Sequence, residues 1–146
     1  MPNYCENTVT FTHKDPAAIQ RIADTVNADK PLFQEFVPMP EGEEDWYNWH
    51  VENWGTKWDT NADYISTTDK LSVKLGFDTA WAPPISFYMA MEDLGYTVDA
   101  KYYEPGMGFL GSYSNGIDNE QSFESFDEIP QEFIDEFGIE DWEEEE

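Results

Sequence analysis

Apolar and polar positions alternate most clearly at Leu71, Val73, Leu75 and Phe77, which are separated by Ser72, Lys74 and Gly76. A period of two predicts a strand with one buried face. The same period recurs in Thr8-Val9-Thr10-Phe11-Thr12 and in Tyr96, Val98, Ala100 and Tyr102. Further strands are predicted at Phe109–Tyr113 and Ile117–Phe123, joined by the turn-forming pair Asn115-Gly116. Leu32–Val37 reads as one more extended segment, ended by Pro38-Met39-Pro40. Elsewhere the period lengthens. Ile19, Ile22, Ala23 and Val26 fall at i, i+3, i+4 and i+7 behind the cap-like pair Asp15-Pro16, which predicts a helix. Pro83-Pro84 opens a second helix and Gly95 ends it, with Ile85, Tyr88, Met89 and Met91 as its apolar contacts. A short acidic helix is expected from Pro130 to Phe137, closed by Gly138, with Glu143–Glu146 fraying beyond it. Residues 41–63, an acidic loop followed by Trp46, Tyr47, Trp49, Trp54 and Trp58, follow neither period.

This order, β-α-β-β-α-β followed by an extra strand, predicts an α+β fold. The specific expectation is a ferredoxin-like split βαβ sandwich, an antiparallel sheet with two helices on one face. A C-terminal hairpin strand and the short acidic helix are added to it. Residues 1–123 would form the ferredoxin-like domain, and 124–146 an acidic segment packed on it. A chain of 146 residues suits one core, and its 16% aromatic content supplies the area to bury.

Charge narrows the partners. Thirty-two Asp and Glu against seven Lys and Arg leave −25. Lys101 is the last basic residue, and the fourteen acids from Ile117 to Glu146 have no basic counterpart among them. Nucleic acid and anionic membrane surfaces repel such a chain, so RNA recognition on sheet aromatics is not expected, for want of basic residues to meet phosphates. Cys5 is the only cysteine, which excludes an internal disulfide. The start of the chain has no basic-then-apolar leader, and no apolar run approaches the ~20 residues that cross a bilayer, so the expected location is cytoplasmic.

Four segments carry a likeness: Met1-Pro2-Asn3-Tyr4-Cys5-Glu6-Asn7, Trp54-Gly55-Thr56-Lys57-Trp58-Asp59, Thr79-Ala80-Trp81-Ala82-Pro83-Pro84, and Tyr103-Glu104-Pro105-Gly106 with Phe109 and Gly111. In this order, over roughly residues 1–117, the chain resembles the YubB-type ferredoxin-like proteins of phages and plasmids. Tyr4 stands where that family often has Trp. The resemblance implies a ferredoxin-like fold without an iron–sulfur cluster and an origin in a mobile element. It brings no catalytic residues with it.

Candidate chemistry is sparse. Asp59-Thr60-Asn61-Ala62-Asp63 matches the first half of a calcium loop, but Tyr64 replaces the turn glycine and Lys70 the bidentate glutamate, so a capped turn is the expected role. His50, near Asp45 and Glu52, and His13 have no paired ligand spacing. Cys5 lacks the nearby positive charge that makes a reactive thiolate. Trp54 and Trp58 around Lys57 suit either a cation–π platform or cover for a sheet face. No catalytic, cofactor or metal site is therefore expected.

What remains is an acidic segment in which Phe123, Phe126, Ile129, Phe133, Ile134, Phe137, Ile139 and Trp142 interleave with the acids. A purely solubilising tail has no use for them. Phe133, Phe137 and Trp142 are expected to dock, leaving Glu132, Asp135, Glu136, Glu140 and Asp141 outward, with Glu41, Glu43, Glu44 and Asp45 as a second acidic surface. Duplex DNA shows one negative charge per ~1.7 Å of axis, and fixed carboxylates imitate it. The expected function is a non-enzymatic inhibitor that binds a basic, nucleic-acid-binding host defence protein. The alternatives are a small metal-dependent or His-based enzyme, and a structural module whose acidity only aids solubility. Self-repulsion among the acids has a direct test: the melting temperature should rise from low to moderate sodium chloride. A steady fall would refute it.

Overall fold

The computed structural model describes residues 3–142. Strand β1 (Tyr4–Thr12) points Cys5, Asn7, Val9 and Phe11 inward. Helix α1 (Pro16–Asn27) starts where the Asp15 carboxylate accepts the Ala17 N–H at 3.0 Å, and it buries Ile19, Ile22 and Ala23. Leu32–Phe36 is not extended, as the sequence suggested, but a single helical turn or so, α2. Its cap comes from far along the chain. The Asp59 carboxylate accepts the Phe33 and Gln34 N–H groups, each at 2.7 Å. Leu32, Phe33 and Phe36 then fall on one buried side.

Helix α3 (Trp46–Asn53) follows, capped by Asp45. The second strand, β2 (Tyr64–Asp69), is the element that Leu32–Val37 was expected to supply. It forms a sheet edge and is irregular between Ser66 and Asp69. Strand β3 (Ser72–Ala80) buries Val73, Leu75 and Phe77. Leu71, expected among them, lies in the turn before β3 and is 44% exposed, its N–H held by the Asp69 carboxylate. Helix α4 (Ile85–Asp93) buries Phe87, Tyr88 and Met91, while Met89, an expected contact, faces out. Strands β4 (Thr97–Glu104), β5 (Phe109–Ser114) and β6 (Ile117–Ser122) complete the sheet. Asn115 and Gly116 turn β5 into β6 with φ of 52° and 78°, the left-handed pair that tight hairpins need. After a 3₁₀ turn at Phe126–Glu128, α5 (Gln131–Phe137) ends at Gly138 in the left-handed region.

The fold is mixed α+β, with one six-stranded antiparallel sheet in the order β2-β3-β1-β4-β5-β6. Register decides what each face carries. Val9 pairs with Ala100, Phe11 with Val98 and Ala100 with Tyr113, and all five belong to the core beneath α1, α2 and α4. Tyr103 pairs with Leu110 on the opposite face, where they join Phe123, Ile129 and Phe133 in a second cluster under α5. Helices therefore cover both faces of the sheet.

Tyr88 is fully buried and its hydroxyl has no hydrogen-bond partner. The Val73 side chain, 1% exposed, sets the main prediction. Val73→Asp should cost about 3 kcal/mol or more in urea unfolding, because it buries an unpaired charge. Leu71→Asp, in the exposed turn, should stay within about 0.5 kcal/mol. A parental midpoint for Val73→Asp would overturn the register.

Candidate functional site

Several carboxylates are held by neutral groups and not by cations. On β4 the buried Tyr102 donates its hydroxyl to Asp118 of β6 at 2.5 Å, and on β5 Tyr113 donates to Glu92 of α4. Burial, reinforced by these carboxylates, pushes both phenols well above their ordinary pKa, so they remain hydrogen-bond donors. Gln131 donates to Asp135 at 2.9 Å across one turn of α5. None of these bonds cancels a charge. Asp118, Glu120, Glu124, Asp127, Glu128, Glu132, Asp135 and Glu140 are all exposed. Together they form an acidic edge running from β6 along the 3₁₀ turn and α5.

Of the acidic residues expected to face outward, Glu132, Asp135 and Glu140 do so, and Glu41, Glu43, Glu44 and Asp45 are exposed in their loop. Glu136 does not. It turns onto the second sheet face and pairs with Lys74 of β3 at 2.7 Å, its side chain only 20% exposed. Burial raises its pKa, but hydrogen bonds from Lys74 and Thr8 and the charge of Lys101 outweigh this and lower it overall. Asp141 is half-buried. Phe133 is buried as expected, whereas Trp142 packs on Phe123 and Phe126 yet stays 43% exposed. Glu143–Glu146, expected to fray, lie outside the described residues.

The remaining candidates make the following contacts. Asp59 caps α2 and also accepts the Thr60 N–H, while Asn61 bonds Asp29. His50 stacks on the Trp54 indole at 4.1 Å and reaches the Lys57 carbonyl at 2.7 Å from Nδ1. His13 accepts the Asp15 N–H at Nδ1 and lies against Tyr96. Cys5 is buried, and burial first, then the charge of Glu104, pushes its thiol pKa far up. No group of three or more His, Cys, Asp or Glu among the described residues is arranged to hold a metal. Lys57 lies over the Trp58 ring at 4.6 Å, while Trp54 is buried and bonded to the Val37 carbonyl.

The four segments that carry the likeness meet at one end of the sheet. Trp81 N–H bonds the Asn3 carbonyl, Thr56 Oγ1 the Ala80 carbonyl, and Asn7 Nδ2 bonds Thr79 Oγ1. Gly55 lies so close to α4 that a Cβ there would meet Ile85 N at 2.9 Å. The Glu104 carboxylate is fully buried and accepts the Gly106 and Met107 N–H groups, closing the β4–β5 turn. These contacts make turns and junctions.

No family model matches the chain, and no curated protein does. Among solved structures, the protein api92 of Yersinia pseudotuberculosis, assigned to DUF1281, superposes with a TM-score of 0.46 at 14% identity. The match covers 64% of this chain and 39% of that protein, so the chain spans well under half of its length. Among the described residues no helix is long and apolar enough to cross a membrane.

Sequence reasoning missed the Lys74–Glu136 pair and the role of Glu104. The polar parity of β3 placed Lys74 on the second face, but nothing local showed that α5 would cover it. Beside that pair, Glu6 and Asp78 line a recess of about 170 Å³ with Asp63. Burial raises the Glu6 and Asp78 pKa values, helped by Asp78 and Asp63 respectively. A carboxyl whose folded pKa lies above its unfolded one binds its proton more tightly when folded, so stability grows as pH falls through that raised value. Glu136 has the opposite sign: its contribution is present above the unfolded pKa and lost as pH falls through its lowered one. Thermal melts from about pH 7 downward should therefore rise and then fall. Glu6→Gln with Asp78→Asn should flatten the rise, and Glu136→Gln should soften the fall. A melting temperature that dropped steadily from neutrality would contradict this assignment.

Proposed function

We propose that this chain is a non-enzymatic binding protein of a phage or plasmid that occupies the nucleic-acid-binding groove of a basic host protein, a defence protein above all, with an acidic, DNA-like surface. The scaffold in this reading is a ferredoxin-like split βαβ core, β2-β3-β1-β4 with α1 and α4, extended by the β5–β6 hairpin. The adjacency β2-β3-β1-β4, antiparallel throughout, supports that description. The likeness to YubB-type proteins supports the mobile-element origin.

One observation carries the functional reading. The edge formed by β6, the 3₁₀ turn and α5 holds eight exposed carboxylates, and no Lys or Arg follows Lys101 to offset them. The Glu136–Lys74 ion pair docks α5 on the sheet and does not serve the outer face. Evolution toward solubility alone does not require that cations be absent from one continuous edge. A field of one sign speeds the encounter with an oppositely charged groove and weakens with salt.

The test replaces Glu132→Gln, Asp135→Asn and Glu140→Gln together, leaving the paired Glu136 intact. Host-lysate proteins captured by the parent at low salt should be displaced by duplex DNA and by high salt. Association of the purified target with the triple variant should slow several-fold at low salt, with dissociation little changed. Unchanged association, together with no competition by DNA, would refute the proposal.

A further inference from the structure

Helix α3 is unusual among the helices of this protein because none of its residues is buried. Trp46, Tyr47 and Val51 are 45%, 49% and 41% exposed. At 100° per residue they fall within an arc of about 140°, so they make one contiguous apolar surface with His50 between them. Ring contacts tie the surface to the core. Trp46 meets Tyr47 edge-to-face at 6.0 Å and His50 at 5.5 Å. His50 stacks on Trp54, and Trp54 packs on Phe33 in the core. Carboxylates surround it: Glu43, Glu44 and Asp45 precede the helix and Glu52 lies on it, all exposed. Between Lys30 and Lys70 the only cation is Lys57, which sits over Trp58.

From this we infer that α3 is a docking platform for an arginine-rich segment of a basic protein, with Trp46 and Tyr47 as its anchors. Guanidinium groups stack on the two rings while the surrounding carboxylates take their N–H groups in pairs. Both contacts favour Arg over Lys, whose compact ammonium is more strongly hydrated and cannot bind bidentately. Aromatic anchors inside a polar rim are the usual makeup of an interface hot spot. A second copy of the chain is a poor occupant, since each copy carries −25, and an anionic bilayer is repelled for the same reason. The inference rests on the acidic-surface reading above and names a different face of the molecule for it.

The test titrates the full chain with two defined probes, a fluorescent nona-arginine peptide and its nona-lysine counterpart, by anisotropy. The parent should bind the arginine peptide several-fold more tightly. Trp46→Ala with Tyr47→Ala should keep the parental melting temperature, weaken arginine-peptide binding about tenfold and erase the preference over lysine. The Glu132, Asp135 and Glu140 variant should weaken both peptides alike and keep the preference. An aromatic double variant that binds as the parent does, beside an acidic variant that does not, would overturn the platform and leave the acidic edge standing. No effect from either would overturn both. Sedimentation showing a parental dimer that the aromatic variant dissolves, or a blue-shifted tryptophan emission on phosphatidylcholine vesicles, would reassign the face and overturn the inference.

Discussion

Carboxylate repulsion is the constraint that every part of this structure meets. Its 32 acidic side chains must stay hydrated or be held by hydrogen bonds, so cohesion falls to apolar and aromatic contacts. Phe11 touches Phe87, Tyr88 and Tyr96 edge-on, and Phe33 meets Phe77, Phe87 and Trp54. Such rings pack from strand, helix and loop without needing a charge. The scarce cations are placed with similar economy. Arg21 lies over Phe36 and reaches Glu35, and Lys74 holds Glu136.

That constraint also explains the buried polar groups. Glu104 is enclosed only because two backbone N–H groups point into its carboxylate. Asp59 is partly enclosed, and its pKa is raised by burial despite three N–H bonds and a nearby His50. In each case the protein uses the peptide backbone where other proteins use lysine or arginine. Glu104 closes a local turn, and Asp59 caps a helix 25 or more residues away.

How far the chain could be read in advance follows from how local each cause is. Strands β1, β3, β4 and β5, helices α1 and α4, the Asn115-Gly116 turn and the Gly138 stop announce themselves through periodicity or turn chemistry. Helix α2 does not, because its cap is Asp59, 26 residues beyond Phe33. Strand β2 does not, because an edge strand with polar Ser66, Thr67 and Asp69 buries too little to impose a period. At the candidate site, exposure of Glu132, Asp135 and Glu140 followed from the spacing of Phe133 and Phe137. Glu136 was read as outward because its partner Lys74 lies 62 positions away in sequence. Trp46 and Tyr47 carry no period at all, so their exposure is visible only in three dimensions.

The two ends of the sheet differ in a way that bears on how much of this protein a cell can hold. A free strand edge is a template for another strand, and copies stacked edge to edge become fibres. Here β6 bears Asp118 and Glu120 along its length, and β2 breaks its own ladder between Ser66 and Asp69. Neither edge welcomes a copy of itself or of the other. These two edges let the protein reach high concentration without polymerising.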